Sequence, residues 1–168
     1  DSWTSGYSWI RRFNEALKYL DMYKSKFSES QYSRIKAEIL FFRAHVEFMM
    51  MRCHASAKGG LGSSLYDTLD QMSIDTKDTP RASLEQSWDA IERDARYAME
   101  HLPEPATAAG RVHRYAAAAL MARAMLYAER YDKALEAVQV VEASTLYGYI
   151  DDYASIFKTL DNSEVIWG

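Results

Sequence analysis

RYAAAALMARAMLYAERYDKALEAVQVVEAS, residues 114–144, contains neither glycine nor proline, and alanine recurs through both of its halves. Alanine loses no rotamer freedom in a helix and is the strongest helix former, so this composition predicts helix except where the apolar period breaks. The break falls at Arg130 and Tyr131, which divides the stretch into two helices over about 113–129 and 132–144. Helices faced with methyl groups can approach each other closely.

The pair carries the tetratricopeptide pattern, in which small residues sit where two helices cross and the unit spans about 34 residues. Ala122 and Ala134 occupy the two small positions. A larger side chain there would push the axes apart and cost Met121, Met125, Val138 and Val141 their mutual packing. These alanines are read as structural.

Working outward, Ser83 and Gln86 form a capping-box signature ahead of Leu84, Trp88, Ile91, Ala95, Ala98 and Leu102, and Pro103 and Pro105 stop the run. That predicts a helix over 84–102. Ser28 and Gln31 repeat the signature before Ile35, Ile39, Phe42, Val46 and Met49, which predicts a helix over 30–54. Ile10, Phe13, Leu17 and Leu20 give a first helix over 7–27, with Trp3 just before it and Trp9 in the core. The chain thus reads as all-α: a helix pair at 7–55, a long loop at 56–82, tetratricopeptide-like helices at 83–145, and an irregular or extended tail at 146–168. The first pair is a divergent copy of the second. The loop, KGGLGSSLYDTLDQMSIDTKDTPRAS at its centre, is long enough to be functional or mobile. VIW near the end reads as extended, and both ends read as cut from a longer protein.

Across 168 residues, 20 basic and 24 acidic side chains leave a net charge of −4 without a basic stripe, which argues against nucleic acid as a partner. The single cysteine, Cys53, excludes an intrachain disulfide and reads as a small core residue. No apolar run approaches the ~20 residues a bilayer crossing needs.

Four segments, in order, resemble the SusD-like (RagB/SusD) family of nutrient-uptake lipoproteins of the Bacteroidota outer membrane. The first is WTSGYSWIRRFNEAL with Trp3, Tyr7, Ile10 and Asn14. The second is AEILFFRAHVEFMM with Glu38, Arg43 and Ala44. RASLEQSWDAIERDARYAMEHLP follows with Arg81, Asp94, Ala98 and Pro103, and then GRVHRYAAAALMARAMLYAERYDKAL, with EVIW near the end. KGGLGSSLYD departs from the family, because the proline of its usual turn after the second helix is missing. The resemblance implies a cell-surface lipoprotein about three times this length, anchored through an N-terminal cysteine that precedes this region. It further implies a TonB-dependent (SusC-like) transporter as partner, an oligosaccharide or peptide as ligand, no cofactor and no catalysis.

The residues themselves offer no catalytic constellation. Glu92 and Asp94 lie two apart on a helix, so their carboxylates face different neighbours. His45, His54, His101 and His113 lack metal-ligand spacing and read as surface or capping residues. GGLGSS lacks the lysine and preceding strand of a phosphate loop. Glu38 and Arg43 read as ties between helices. Trp3 and Tyr7 are the candidate ligand contacts, because aromatic faces stack on sugar rings, and the resemblance puts Trp3 close to where the family's ligand loops converge. The competing reading is a tetratricopeptide adaptor that takes a partner helix in its groove.

Overall fold

The computed structural model describes residues 2–55, 60–68, 71, 80–105, 110–158 and 162–167. Among the described residues six α-helices follow one another: α1 Ser2–Met22, α2 Glu29–His54, α3 Leu84–His101, α4 Arg114–Tyr127, α5 Tyr131–Glu142 and the short α6 Tyr153–Ile156. Each of the first five packs mainly on its neighbours in sequence, as in a stacked array of helix pairs.

Local chemistry sets most boundaries. Both capping boxes form: the Gln31 amide donates to Ser28 Oγ at 3.2 Å while the Ser28 amide donates to Gln31 Oε1 at 2.9 Å. Ser83 and Gln86 repeat this at 3.0 and 3.1 Å, so orphan amides at both helix starts are satisfied. His113 caps α4 by accepting from the Ala116 amide. Between α4 and α5, Glu129 takes a positive φ of 60°, turning the chain so that α5 folds back.

The core is built from methyl groups and a few large side chains. Ala37, Ala44, Ala95, Ala98, Ala117, Ala124 and Ala137 surround Phe41, Phe48, Ile91, Met121 and Met125. Helix α4 is buried through eight of its positions, including the consecutive run Tyr115 to Ala118, because it lies between α3 and α5. A smaller cluster of Ile10, Met50 and Tyr66 joins α1 to α2, with Trp3, Tyr7 and Val46 against it.

Several expectations need correcting. Helix α1 begins at Ser2 rather than Tyr7, so Trp3 lies in its first turn. Just after that turn, a Cβ at Gly6 would collide with the Met50 side chain, so the glycine permits close approach of α1 to α2. The same helix ends at Met22, and Lys24–Lys26 form a separate 3-10 turn. Trp9 is 49% exposed, since Gly6, Ile10 and Asn14 supply the face toward α2. Cys53 is exposed. Ala134 is buried but Ala122 only partly so, and Val138 is 38% exposed rather than packed at the crossing. Residues 165–167 form no strand; among the described residues the lone β-type contact joins Leu61 to Ser83. Much of the long loop, at 56–59, 69–70 and 72–79, lies outside the described residues.

The tail folds against itself and the core. The Gly148 amide donates to the Ser163 carbonyl at 3.0 Å and the Ile150 amide to Glu164 Oε1 at 2.7 Å. Trp167 then seats its ring edge on Phe41 at 5.4 Å.

Candidate functional site

Three helices are joined by polar groups inside the fold. The Arg43 guanidinium, on α2, donates from Nε to Asp94 Oδ2 of α3 at 2.6 Å and from Nη1 to Asn14 Oδ1 of α1 at 2.7 Å. Its Nη1 also donates to the Asp67 carbonyl at 3.1 Å, and Asn14 Nδ2 donates to the Tyr66 carbonyl at 2.8 Å. Arg93 extends the network by binding Asp94 and Asp67. A charge taken out of water is tolerated only when partnered, and here Arg43 and Asp94 are both buried and matched. Glu38 meets Arg111 through both carboxylate oxygens at 2.6 and 2.8 Å. Arg43 therefore ties neighbouring helices as expected, whereas Glu38 ties α2 to the segment ahead of α4. Glu92 and Asp94 do face apart: Glu92 takes Arg130 and Lys133 while Asp94 takes Arg43 and Arg93.

These ties carry an aromatic recess. Trp3 and Tyr7, one turn apart on α1, meet edge to face at 5.0 Å, and Tyr7 meets Tyr66 at 5.6 Å. A cavity of about 300 Å³ opens beside them, with Thr4, Ser8, Arg11 and Ser64 completing its lining. The Tyr7 hydroxyl accepts the Ser64 amide at 2.7 Å, and burial raises its pKa. That hydroxyl is anchored, so Tyr7 offers mainly its ring. Arg81 holds the recess from the other side: Nε donates to the Gly62 carbonyl at 2.6 Å and Nη2 to the carbonyls of His54 and Leu61. Its guanidinium also lies 5.4 Å from the centroid of the Trp3 ring. Both candidate ligand contacts thus sit together, beside a mixed aromatic and polar opening.

Sequence reasoning missed Tyr66, Asp67 and the reach of Arg81, because they act from a loop without period. It also missed Glu47, a fully buried carboxyl on α2 that burial pushes up to about 8. Its position inside the apolar run HVEFMM was the available signal. Among the described residues no cluster of three or more His, Cys, Asp or Glu could hold a metal, and no helix is long and apolar enough to cross a membrane.

An array of helix pairs stacked in sequence order defines a scaffold of tetratricopeptide-like architecture. The chain belongs to the SusD-like family described as starch-binding and associating with the outer membrane, whose sequence profile matches residues 1–126. A SusD-like carbohydrate-binding protein from Bacteroides vulgatus superposes with a TM-score of 0.84 at 24% identity, covering 99% of this chain and 36% of the other. A SusD-like protein from Bacteroides fragilis gives 0.83 at 30% identity, covering 99% and 32%. A laminarin-binding SusD-like protein gives 0.79 at 24% identity, covering 99% and 36%. The chain therefore spans about a third of the length of these relatives. No curated relative matches it.

Proposed function

We propose that this chain is part of a cell-surface protein that binds glycans and passes them, without chemistry, to a TonB-dependent outer-membrane transporter. The observation that carries the reading is the open recess of Trp3, Tyr7 and Tyr66 in a chain of the starch-binding family. Aromatic edges and faces bind the apolar faces of hexoses, while Thr4, Ser8 and Arg11 at the same opening suit their hydroxyls. Trp3 and Tyr7 are accordingly assigned as ligand contacts. The laminarin-binding relative makes glucans the first class to test. Anchoring would be through a lipidated cysteine upstream.

Calorimetry of the full-length protein against laminari-, malto- and other oligosaccharides tests the assignment. Trp3→Ala is expected to weaken the best ligand by about tenfold, the effect of losing one aromatic contact and its buried area. Unchanged affinity would remove Trp3 from the site. Co-purification with a barrel transporter from outer membranes tests the partner.

A second reading, an adaptor for a partner helix, is favoured by one feature. A groove of about 460 Å³ runs along α4 and α5, lined by Ala119, Ala122, Val138, Val141, Tyr147 and Ile166. The upstream gene sequence separates the two: an export signal ending in a lipidation cysteine fits the first reading and its absence the second.

A further inference from the structure

A separate cavity of about 460 Å³ opens among α1, α2 and α3, over the Arg43–Asp94 pair rather than beside Trp3 and Tyr7. That volume falls within the range of small-molecule sites. Arg43 lines it although its side chain is only 5% exposed. Its Nε and Nη1 are taken by Asp94, Asn14 and the Asp67 carbonyl, and among the described residues Nη2 makes no hydrogen bond. Seven residues earlier on the same helix, Lys36 also lines the cavity. Two turns put Lys36 and Arg43 on one face, about 10 Å apart along the axis, within reach of a common group between them.

The charges around this recess are unevenly matched. Asp94 is shared by Arg43 and Arg93, Asp67 is bound by Arg93, and Asp21 accepts the Tyr32 hydroxyl at 2.6 Å. Lys36 has no carboxylate partner among the described residues; its ammonium lies over the rings of Tyr97 at 5.3 Å and Tyr32 at 5.8 Å. Tyr97 also stacks on the His101 ring at 3.9 Å. A ligand here would be held by charge and hydrogen bonds. Cations in a recess of reduced water access favour a carboxylate, and charge-assisted bonds to it are about twice as strong as neutral ones.

We propose that this cavity is a second ligand site that takes a hexuronate, with the carboxylate between Lys36 and Arg43 and the ring hydroxyls toward Asp21, Asp67 and Thr68. It rests on the cavity alone and not on the glycan reading of the Trp3 recess. Titration of the ¹⁵N-labelled protein with glucuronate, followed by amide shifts up to millimolar ligand, tests it. Saturable shifts near Lys36, Thr68 and Tyr97 are expected, with glucose at least about tenfold weaker because it lacks the charge. Lys36→Gln should weaken glucuronate about tenfold, Lys36→Arg should retain it, and Trp3→Ala should leave it unchanged. Absence of saturable shifts, equal binding of glucose, or indifference to Lys36→Gln in a variant with an unaltered melting curve would overturn the site. Weakening by Trp3→Ala would overturn its separateness.

Discussion

The two halves of the array hold their helices together by different physics. Helices α1 to α3 are joined through the Asn14–Arg43–Asp94 network, a few directional contacts between buried polar groups. Helices α4 and α5 are joined by methyl-lined surfaces in which Ala117, Ala118, Ala124 and Ala137 leave no room for larger groups. The polar half gains one defined arrangement and carries the recesses beside Trp3 and over Arg43; the alanine half gains closeness and carries the groove along α4 and α5. Directional contacts fail abruptly when one partner is removed, whereas close packing fails in proportion to added volume.

Removing one member of the polar network should have the largest effect. Arg43→Ala leaves Asp94 buried with only the half-exposed Arg93 beside it, and about 3–5 kcal/mol of stability is expected to be lost in urea melts. A loss as small as that of a surface pair would mean that water reaches the network freely. In the alanine half, Ala134→Leu should cost about 1–3 kcal/mol, because the site is buried against α4 and overpacking is strained. Ala122→Leu, only partly buried, should cost less. Equal costs at the two positions would place the crossing elsewhere.

Acidity separates the halves further. Glu47 in the polar half keeps its proton in the fold up to about 8, while the unfolded chain releases it near the ordinary carboxylate value of 4.5. The folded state binds more protons between those values, so this contribution is complete below about 4.5 and is lost as pH rises toward 8. Glu47→Gln should therefore flatten the fall in melting midpoint over that window and stabilise the protein most near its upper end. A slope unchanged by the substitution would show that Glu47 already has a charge partner. His113, at the start of α4, has the opposite sign: burial lowers its pKa, and its ring accepts from the Ala116 amide while its other nitrogen meets the Ile166 carbonyl at 2.9 Å. Its contribution is lost as pH falls below the ordinary histidine value of 6.5, and His113→Asn should reduce that smaller loss.

The sequence made the helices legible where local chemistry decides them. Serine and glutamine caps marked α2 and α3, and the alanine run marked α4 and α5, because these signals act within one turn. The start of α1 was harder to read, because the apolar period begins only at Ile10, while the turn before it is held by the approach of Gly6 to Met50, far along the chain. Trp9 and Cys53 were misplaced for a related reason, since an apolar or small residue in a helix does not state which face meets a neighbour. Of the candidate site, Trp3 and Tyr7 were singled out as aromatics able to stack on a sugar, but that they share one helix face was not legible, because the helix was read as starting only at Tyr7. Nor were the roles of Tyr66 and Arg81, because they depend on where an aperiodic loop crosses α1 and α2.

The central claim, that the polar network holds α1 and its aromatic recess onto α2 and α3, is tested most directly by hydrogen exchange on Asn14→Ala. That substitution removes the contacts to Arg43 and to the Tyr66 carbonyl while leaving the alanine half untouched. Amides of residues 6–22 are expected to exchange faster than in the parent, with those of α4 and α5 unchanged, because the first region opens locally once its tie is cut. Equal acceleration in both halves, or none in α1, would contradict the account.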